Sequence, residues 1–263
     1  MNNLPQTQTP AEFRALASQG QFTTTTAGIC PGYAQANLIV LPGNLAADFA
    51  AFAAANPQPC PVLEETQHSY ISSYLAPGDN ILAAIPRYRI YRYGEFVEEV
   101  TDATAYWQDG MVCFLIGCSF SFEEALLAAG LPVRHIEQDV IVPMYRSNIA
   151  TKPVGLFSGP VVVSMRPMLP EQAKQAAAIT ARFPRVHGAP VHIGDPAVIG
   201  IKDIYQPDYG DPVEIRSGEV PVFWACGVTP QAAVTHAKPP LAISHAPGHM
   251  LVCDILNSAL AEK

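Results

Sequence analysis

Charge is scarce in this sequence: Asp, Glu, Lys and Arg make up 14% of its 263 residues, against roughly 25% in an average soluble domain. Apolar residues reach 49%, so apolar surface would be left over on a monomer, and a homo-oligomer is expected. Basic clusters are missing as well. With 15 Lys and Arg against 23 Asp and Glu, a net charge of −8 leaves nothing to neutralise phosphates, which excludes nucleic acid and anionic membranes as partners. No C-x-x-C spacing occurs among Cys30, Cys60, Cys113, Cys118, Cys226 and Cys253. Disulfides are therefore not expected, and reduced thiols point to a cytoplasmic protein. Met1–Pro10 has neither a basic start nor an apolar core and does not read as a signal peptide. The longest apolar window, 38–55, contains Pro42, Gly43, Asn44 and Asp48, which a membrane span would leave unsatisfied. Internal repeats and low-complexity runs are absent too.

What is abundant is proline, 25 residues, often beside Gly, His or Asp as in Pro31-Gly32, Asp195-Pro196 and Pro247-Gly248, and such pairs mark turns. Between the turns lie short apolar runs of strand length: 38–41, 111–116, 161–164, 220–225 and 241–244. Helical patterns follow at 45–55, 122–129, 171–183, 230–236 and 250–260. Ser121 and Glu124 have the spacing of a capping box, Thr229-Pro230 suits a helix start, and Gly130 suits a helix end. The alternation of strand and helix predicts an α/β fold with a mixed, partly parallel sheet in two lobes. The expected division is a discontinuous α/β lobe, 1–105 with 186–263, and an inserted α+β lobe, 106–185.

Several segments carry residues suited to chemistry. Tyr33, Gln35 and Asn37 alternate along an extended run, so they either line a ligand cleft or satisfy a turn after Pro31-Gly32. Phe114–Glu123 reads as strand, tight turn and helix, placing Cys118 and Ser119 near free backbone N–H groups that favour anions. Cys118 is a candidate nucleophile or else a small buried thiol. Arg134 and Arg146 flank the apolar run 140–144 and suit carboxylate clamping, with surface ion pairs as the alternative for Arg134. Arg166 ends the run 161–163, where its charge requires an anion from substrate or protein. His187 and His192 share one loop with Asp195; loop carbonyls, acid–base chemistry or a metal are all open to them. Trp224 and Cys226 end one strand, and His245 and His249 follow another. Parallel pairing of those two strands would bring Cys226 and His245 together.

Taken together, the segments CPGYAQANLIVLP, FLIGCSFSFEEAL, LPVRHIEQDVIVPMYRSNI, GPVVVSMRP, HGAPVHIGDP, PDYGD, GEVPVFWACGVTPQ and SHAPGHMLVCD resemble the D-glutamate cyclase family of hydro-lyases, covering most of Cys30–Asp254. The resemblance implies a three-layer α/β lobe joined to a two-layer α+β lobe. It also implies a small carboxylic acid as substrate: a eukaryotic member, in a larger chain with a second domain, is associated with reversible cyclisation of D-glutamate to 5-oxo-D-proline and water. For that reaction Arg166 and Arg146 would bind carboxylate, with Ser119, Tyr33, Gln35, Asn37 and Trp224 lining the site. His192 or His245 would act as base and Glu219 or a protonated histidine as acid, Cys118 and Cys226 stand as further catalytic candidates, and the N–H groups of 117–119 would hold the oxyanion. No cofactor is called for. The rivals are a metal-dependent hydro-lyase or lactam hydrolase, with a divalent ion on His187, His192, His245 and His249, and a non-catalytic small-acid binder.

Overall fold

A computed structural model describes residues 9–262, so the reading of Met1–Pro10 falls almost wholly outside the described residues. Six helices are described: α1 (Pro10–Ser18), α2 (Gly43–Ala55), α3 (Phe120–Ala128), α4 (Arg134–Glu137), α5 (Pro170–Thr180) and α6 (Val228–Ala237). Eleven strands form two sheets. The first contains β1 (Tyr33–Leu41), β2 (Val62–Glu65), β3 (Tyr88–Arg92), β4 (Glu95–Val100), β5 (Val112–Gly117), β10 (Ala242–His245) and β11 (Leu251–Leu256) in the order β2-β5-β1-β10-β3-β4, with β11 also on β1. The second contains β6 (Met144–Ala150), β7 (Pro160–Met168), β8 (His192–Ile193) and β9 (Val220–Ala225) in the order β6-β7-β9-β8.

Every strand pairing is antiparallel, which overturns the expected partly parallel sheet. Strand and helix do alternate along the chain, but no helix joins two strands that are paired with each other in parallel. α2 links β1 to β2, and both of these lie antiparallel to β5 between them. α5 lies in the connection between the antiparallel neighbours β7 and β9, and α6 carries the chain from one sheet to the other. The parallel pairing that would have joined Cys226 to His245 does not exist, because β9 and β10 belong to different sheets.

Local chemistry explains most elements and corrects some expectations. α1 starts at Thr9, whose hydroxyl and the Glu12 carboxylate form a capping box ahead of Pro10. α3 begins at Ser119, two residues before the expected cap, so Ser121 lies inside the helix and its hydroxyl accepts from the Gln35 N–H. The cap of α6 is Gly227, and Thr229 Oγ1 instead bonds the backbone of Val162 in β7. Gly130 does end α3: it has φ +73°, its N–H reaches the Leu127 carbonyl, and the Leu131 N–H reaches that of Leu126, the paired bonds of a left-handed helix end. The segment read as a terminal helix, 250–260, is strand β11 followed by a 3₁₀ turn at Asn257–Leu260, since Leu251 and Val252 pair with Ala36 and Gln35 of β1.

β1 is forked. Its first half pairs with β11 and its second half, Ile39–Val40, with β10. The Leu38 N–H at the branch donates to His245 Nδ1 at 3.1 Å, so an imidazole covers a backbone donor where the ladder changes partner. One continuous core then joins the sheets: Ala36, Leu38 and Val40 of β1 share a cluster with Phe122, Leu126, Met168, Ala173, Val222 and Trp224. A second cluster stacks Phe49, Phe52, Phe114 and Phe157, each worth roughly 1.5–3 kcal/mol of transfer free energy. None of the six cysteines forms a disulfide, and all six are buried.

Candidate functional site

Two strand-to-helix turns, one from each sheet, meet at Asn37. β5 ends at Gly117 and α3 begins at Phe120 after Ser119, while β9 ends at Ala225 and α6 begins at Val228 after Gly227; neither helix has a side-chain cap. Asn37 Nδ2 donates to the carbonyl of Gly117 at 2.8 Å and lies 3.3 Å from that of Ile116. The same amide presses on Gly227, where a β-carbon would fall well inside contact distance of it. Gly117 is equally confined, here by the Arg185 carbonyl and Val186. Glycine is required at both turns by close approach of a neighbouring group rather than by an unusual φ.

Behind the first turn lies Arg166, which is 0% exposed. Ser164, Arg166, Trp224 and Cys226 come from neighbouring antiparallel strands in a register that points them to one face. The guanidinium donates through Nε to Glu123 Oε1 at 3.0 Å, through Nη2 to Glu123 and to Ser119 Oγ (3.1 Å), and through Nη1 to Ser164 Oγ at 3.0 Å. It also lies over the rings of Phe122 and Trp224, at 5.4 and 5.3 Å. Glu123 Oε1 is in addition 3.3 Å from His135 Nε2, and the His135 ring stacks on Phe120. Burial pushes the Glu123 carboxyl up, but the proximity of His135 and Arg166 outweighs burial and brings it down to about 2. The pair is therefore ionised in the core. Ser119 accepts from Arg166, so its own O–H proton is directed elsewhere.

Three further groups border the turns. Cys118 and Cys226 are pushed up by burial to about 12 and about 11, which keeps both as thiols at neutral pH, whereas nucleophilic attack uses a thiolate. His187 is fully buried at φ +84°. Its Nδ1 is 2.9 Å from the Gln58 carbonyl, and its Nε2 has no hydrogen-bond partner among the described residues. The Gly117 carbonyl and Arg166 are nonetheless near enough to act on its protonation, which burial first of all lowers to about 4.

The other residues nominated from sequence lie in different surroundings. Glu219 accepts from Arg134 Nη2 at 2.6 Å and from the Arg216 N–H; Arg134 also holds Glu137. Arg146 is exposed, pairs with Tyr209 Oη at 2.8 Å and stacks on that ring, so Arg146 and Arg134 do not form a common clamp. His192 Nε2 meets the Asp195 carbonyl at 2.7 Å, and His249 Nδ1 meets that of Pro247 at 2.8 Å. His245 is engaged by Leu38 and by Gln231 of α6. Among the described residues no three His, Cys, Asp or Glu side chains gather as a metal ion would need. Gln35 Nε2 donates to the Thr26 carbonyl at 2.8 Å, Tyr33 begins β1 partly exposed, and Trp224 Nε1 donates to Thr180 Oγ1. Trp224 is a floor under Arg166, with its polar edge satisfied. A cleft of about 480 Å³ lined by Cys60, Pro61, Val62, Glu65 and Arg185 adjoins the site through the Pro184–Val186 turn, whose Arg185 carbonyl rests on Gly117. Sequence reasoning left out Glu123 and His135 as members of the cluster. The local signal was a carboxylate one helical turn after Ser119, but nothing in the pattern favoured Glu123 over the adjacent Glu124 as the anion for Arg166.

Comparison with known proteins matches residues 112–254 to the profile of the D-glutamate cyclase family. Among curated relatives, proteins carrying the name "Putative hydro-lyase" are 56% identical over 252 residues in Stutzerimonas stutzeri, 95% of each chain, and 55% identical over 262 residues in Bacillus velezensis, 99% of each. Another from Mycolicibacterium gilvum is 58% identical over 251 residues, again 95% of each chain. Among solved structures, a nitrogen repressor-like protein from Methanococcus jannaschii covers 92% of this chain and 94% of its own at a TM-score of 0.39 and 10% identity, a likeness too distant to carry an inference. The family match spans more than half of the chain and the relatives match nearly all of it: this chain belongs to the D-glutamate cyclase family.

Proposed function

We propose that the protein is a hydro-lyase acting on a small carboxylic acid, with the β5–α3 turn as the reacting site, and that it interconverts D-glutamate with 5-oxo-D-proline and water. The observation that carries this reading is the meeting of two side-chain-uncapped helix starts over a fixed, buried guanidinium. Backbone N–H groups at helix starts attract negative charge. Arg166 adds a full positive charge behind them, held in place by Glu123 and Ser164. The Ser119 hydroxyl extends that charge toward a ligand, since it accepts from Arg166 and has its proton left to donate.

In the cyclisation, the substrate nitrogen attacks the distal carboxyl carbon. The C–N bond forms, a C–O bond breaks, and the two protons lost by the ammonium leave with the departing oxygen as water. The tetrahedral intermediate carries its charge on oxygen, where donors fixed in advance stabilise it without reorganising. Family membership and the hydro-lyase name of the relatives support the reaction class.

The test is to incubate the purified protein separately with D-glutamate and with 5-oxo-D-proline in ¹⁸O-water and follow both acids by NMR and mass spectrometry. Interconversion is expected, with one ¹⁸O entering the distal carboxylate when the reaction starts from the lactam. Calorimetric binding of either acid with no turnover in either direction would overturn the enzymatic reading in favour of a binder.

A further inference from the structure

We propose that His187 is the group that accepts the substrate's proton, through Nε2, an inference that rests on the reaction site assigned to the β5–α3 turn. His187 is a non-glycine residue held at φ +84°, between the Pro184–Val186 turn and Gly188 at φ +64°. That conformation is unfavourable for a residue with a β-carbon and persists only where the surroundings impose it.

The two ring nitrogens have different neighbours. Nδ1 faces the carbonyl of Gln58 at 2.9 Å; a carbonyl can only accept, so the proton of the neutral ring resides on Nδ1 and the lone pair on Nε2. Nε2 is buried with no hydrogen-bond partner among the described residues, a state that buried polar groups rarely keep. The Arg166 guanidinium donates instead to Glu123, Ser119 and Ser164, and His187 follows directly on Arg185 and Val186, which lie against Gly117 of the β5–α3 turn. A substrate ammonium or amide N–H is the kind of donor that completes this nitrogen.

The protonated ring keeps its Nδ1–H bond to the Gln58 carbonyl, and the Gly117 carbonyl favours the added proton. Burial and Arg166 oppose the imidazolium, so the proton is held only briefly and is passed to the departing oxygen. The ammonium loses two protons, one before the nitrogen attacks and one after the C–N bond has formed; Nε2 takes each in turn and returns it to the departing oxygen, which leaves as water. The Gly117 carbonyl also accepts from Asn37, which ties the position of this relay to the turn itself.

His187→Asn is the informative variant. Asparagine is among the side chains that best tolerate a left-handed backbone, and its amide can replace Nδ1–H toward Gln58 while removing Nε2. With D-glutamate and 5-oxo-D-proline as probes, kcat is expected to fall by about 10²–10⁴-fold, the range for loss of a general base, with KM and the urea midpoint near the wild-type values. A variant that retains wild-type kcat overturns the role of His187 and leaves the assignment of the reaction intact. Independently of turnover, ¹⁵N-histidine NMR of the wild-type protein is expected to show Nδ1 protonated and Nε2 bare, with the Nε2 resonance moving when 5-oxo-D-proline is added. An unmoved Nε2 resonance under saturating 5-oxo-D-proline overturns the inference even if the asparagine variant fails to fold or the wild type proves inactive toward both acids.

Discussion

The β5–α3 and β9–α6 turns share a plan and differ in what they contribute. Each runs from a buried strand through a buried cysteine and a glycine into a helix with no side-chain cap. The first carries Ser119 and Glu123 and thereby holds the Arg166 guanidinium. The second contributes no charged side chain over Cys226–Gln231; its Gly227 instead leaves space into which Asn37 fits. One turn sets the charge of the site and the other sets its shape. Polar chemistry can thus be concentrated in one half of a junction when the other half supplies only room, which limits how many buried charges need partners.

The largest consequence of this division is expected at Glu123. Glu123→Gln leaves Arg166 short of an anion in the core, and breaking one side of a buried pair costs about 3–5 kcal/mol. Urea unfolding should show that loss. The same measurement on Glu123→Leu with Arg166→Met should show much less than the sum of the two single effects, because the double change removes both charges at once. Additive losses would mean that Glu123 is not the principal partner of Arg166.

At the second turn the expected effect is steric and smaller. Gly227→Ala places a methyl against the Asn37 amide, and overpacking of this kind costs about 1–3 kcal/mol. Asn37→Ala should relieve the clash, so that the double variant is less destabilised than the two single losses combined. An alanine variant as stable as wild type would show that Asn37 can move away without cost.

The finest distinction lies in pH. His187 borders the first turn and His245 is bonded by Gln231 of the second helix. Burial foremost holds both at about 4, below the ordinary 6.5. The unfolded chain therefore binds more protons between those values, so the stability these rings contribute is complete above pH 6.5 and is lost as pH falls toward 4. Glu123, depressed from 4.5 to about 2, adds a second loss over that lower window. Urea midpoints measured from pH 7 to pH 3 should fall in these two stages. His245→Gln should flatten the upper one and Glu123→Gln the lower, and a single stage unaffected by either change would refute the assignment.

Much of this protein was legible from local pattern. The run Val220–Ala225 coincides with β9, 161–164 lies within β7, and the helices at 122–129 and 230–236 were placed within two residues of their starts, because apolar runs, proline and glycine act over a few residues. The β3–β4 hairpin was not read: Tyr93-Gly94 forms its two-residue loop with φ of +51° and +82°, but Tyr93 is not a residue that usually signals such a turn. Strand direction was not legible: an apolar run buried on both faces looks the same whether its neighbour is parallel or antiparallel. The partner of Arg166 was equally hidden, 43 residues away in the chain, as was the contrast between the two nitrogens of His187, of which Nδ1 meets the carbonyl of Gln58, 129 residues away. Composition and periodicity thus placed the strands β1, β5, β7, β9 and β10 and the helices α2, α3, α5 and α6. Tertiary structure alone decided how the strands pair, which buried charges neutralise one another and which lone pair stays open, because each of these depends on groups brought together by burial rather than by sequence neighbourhood.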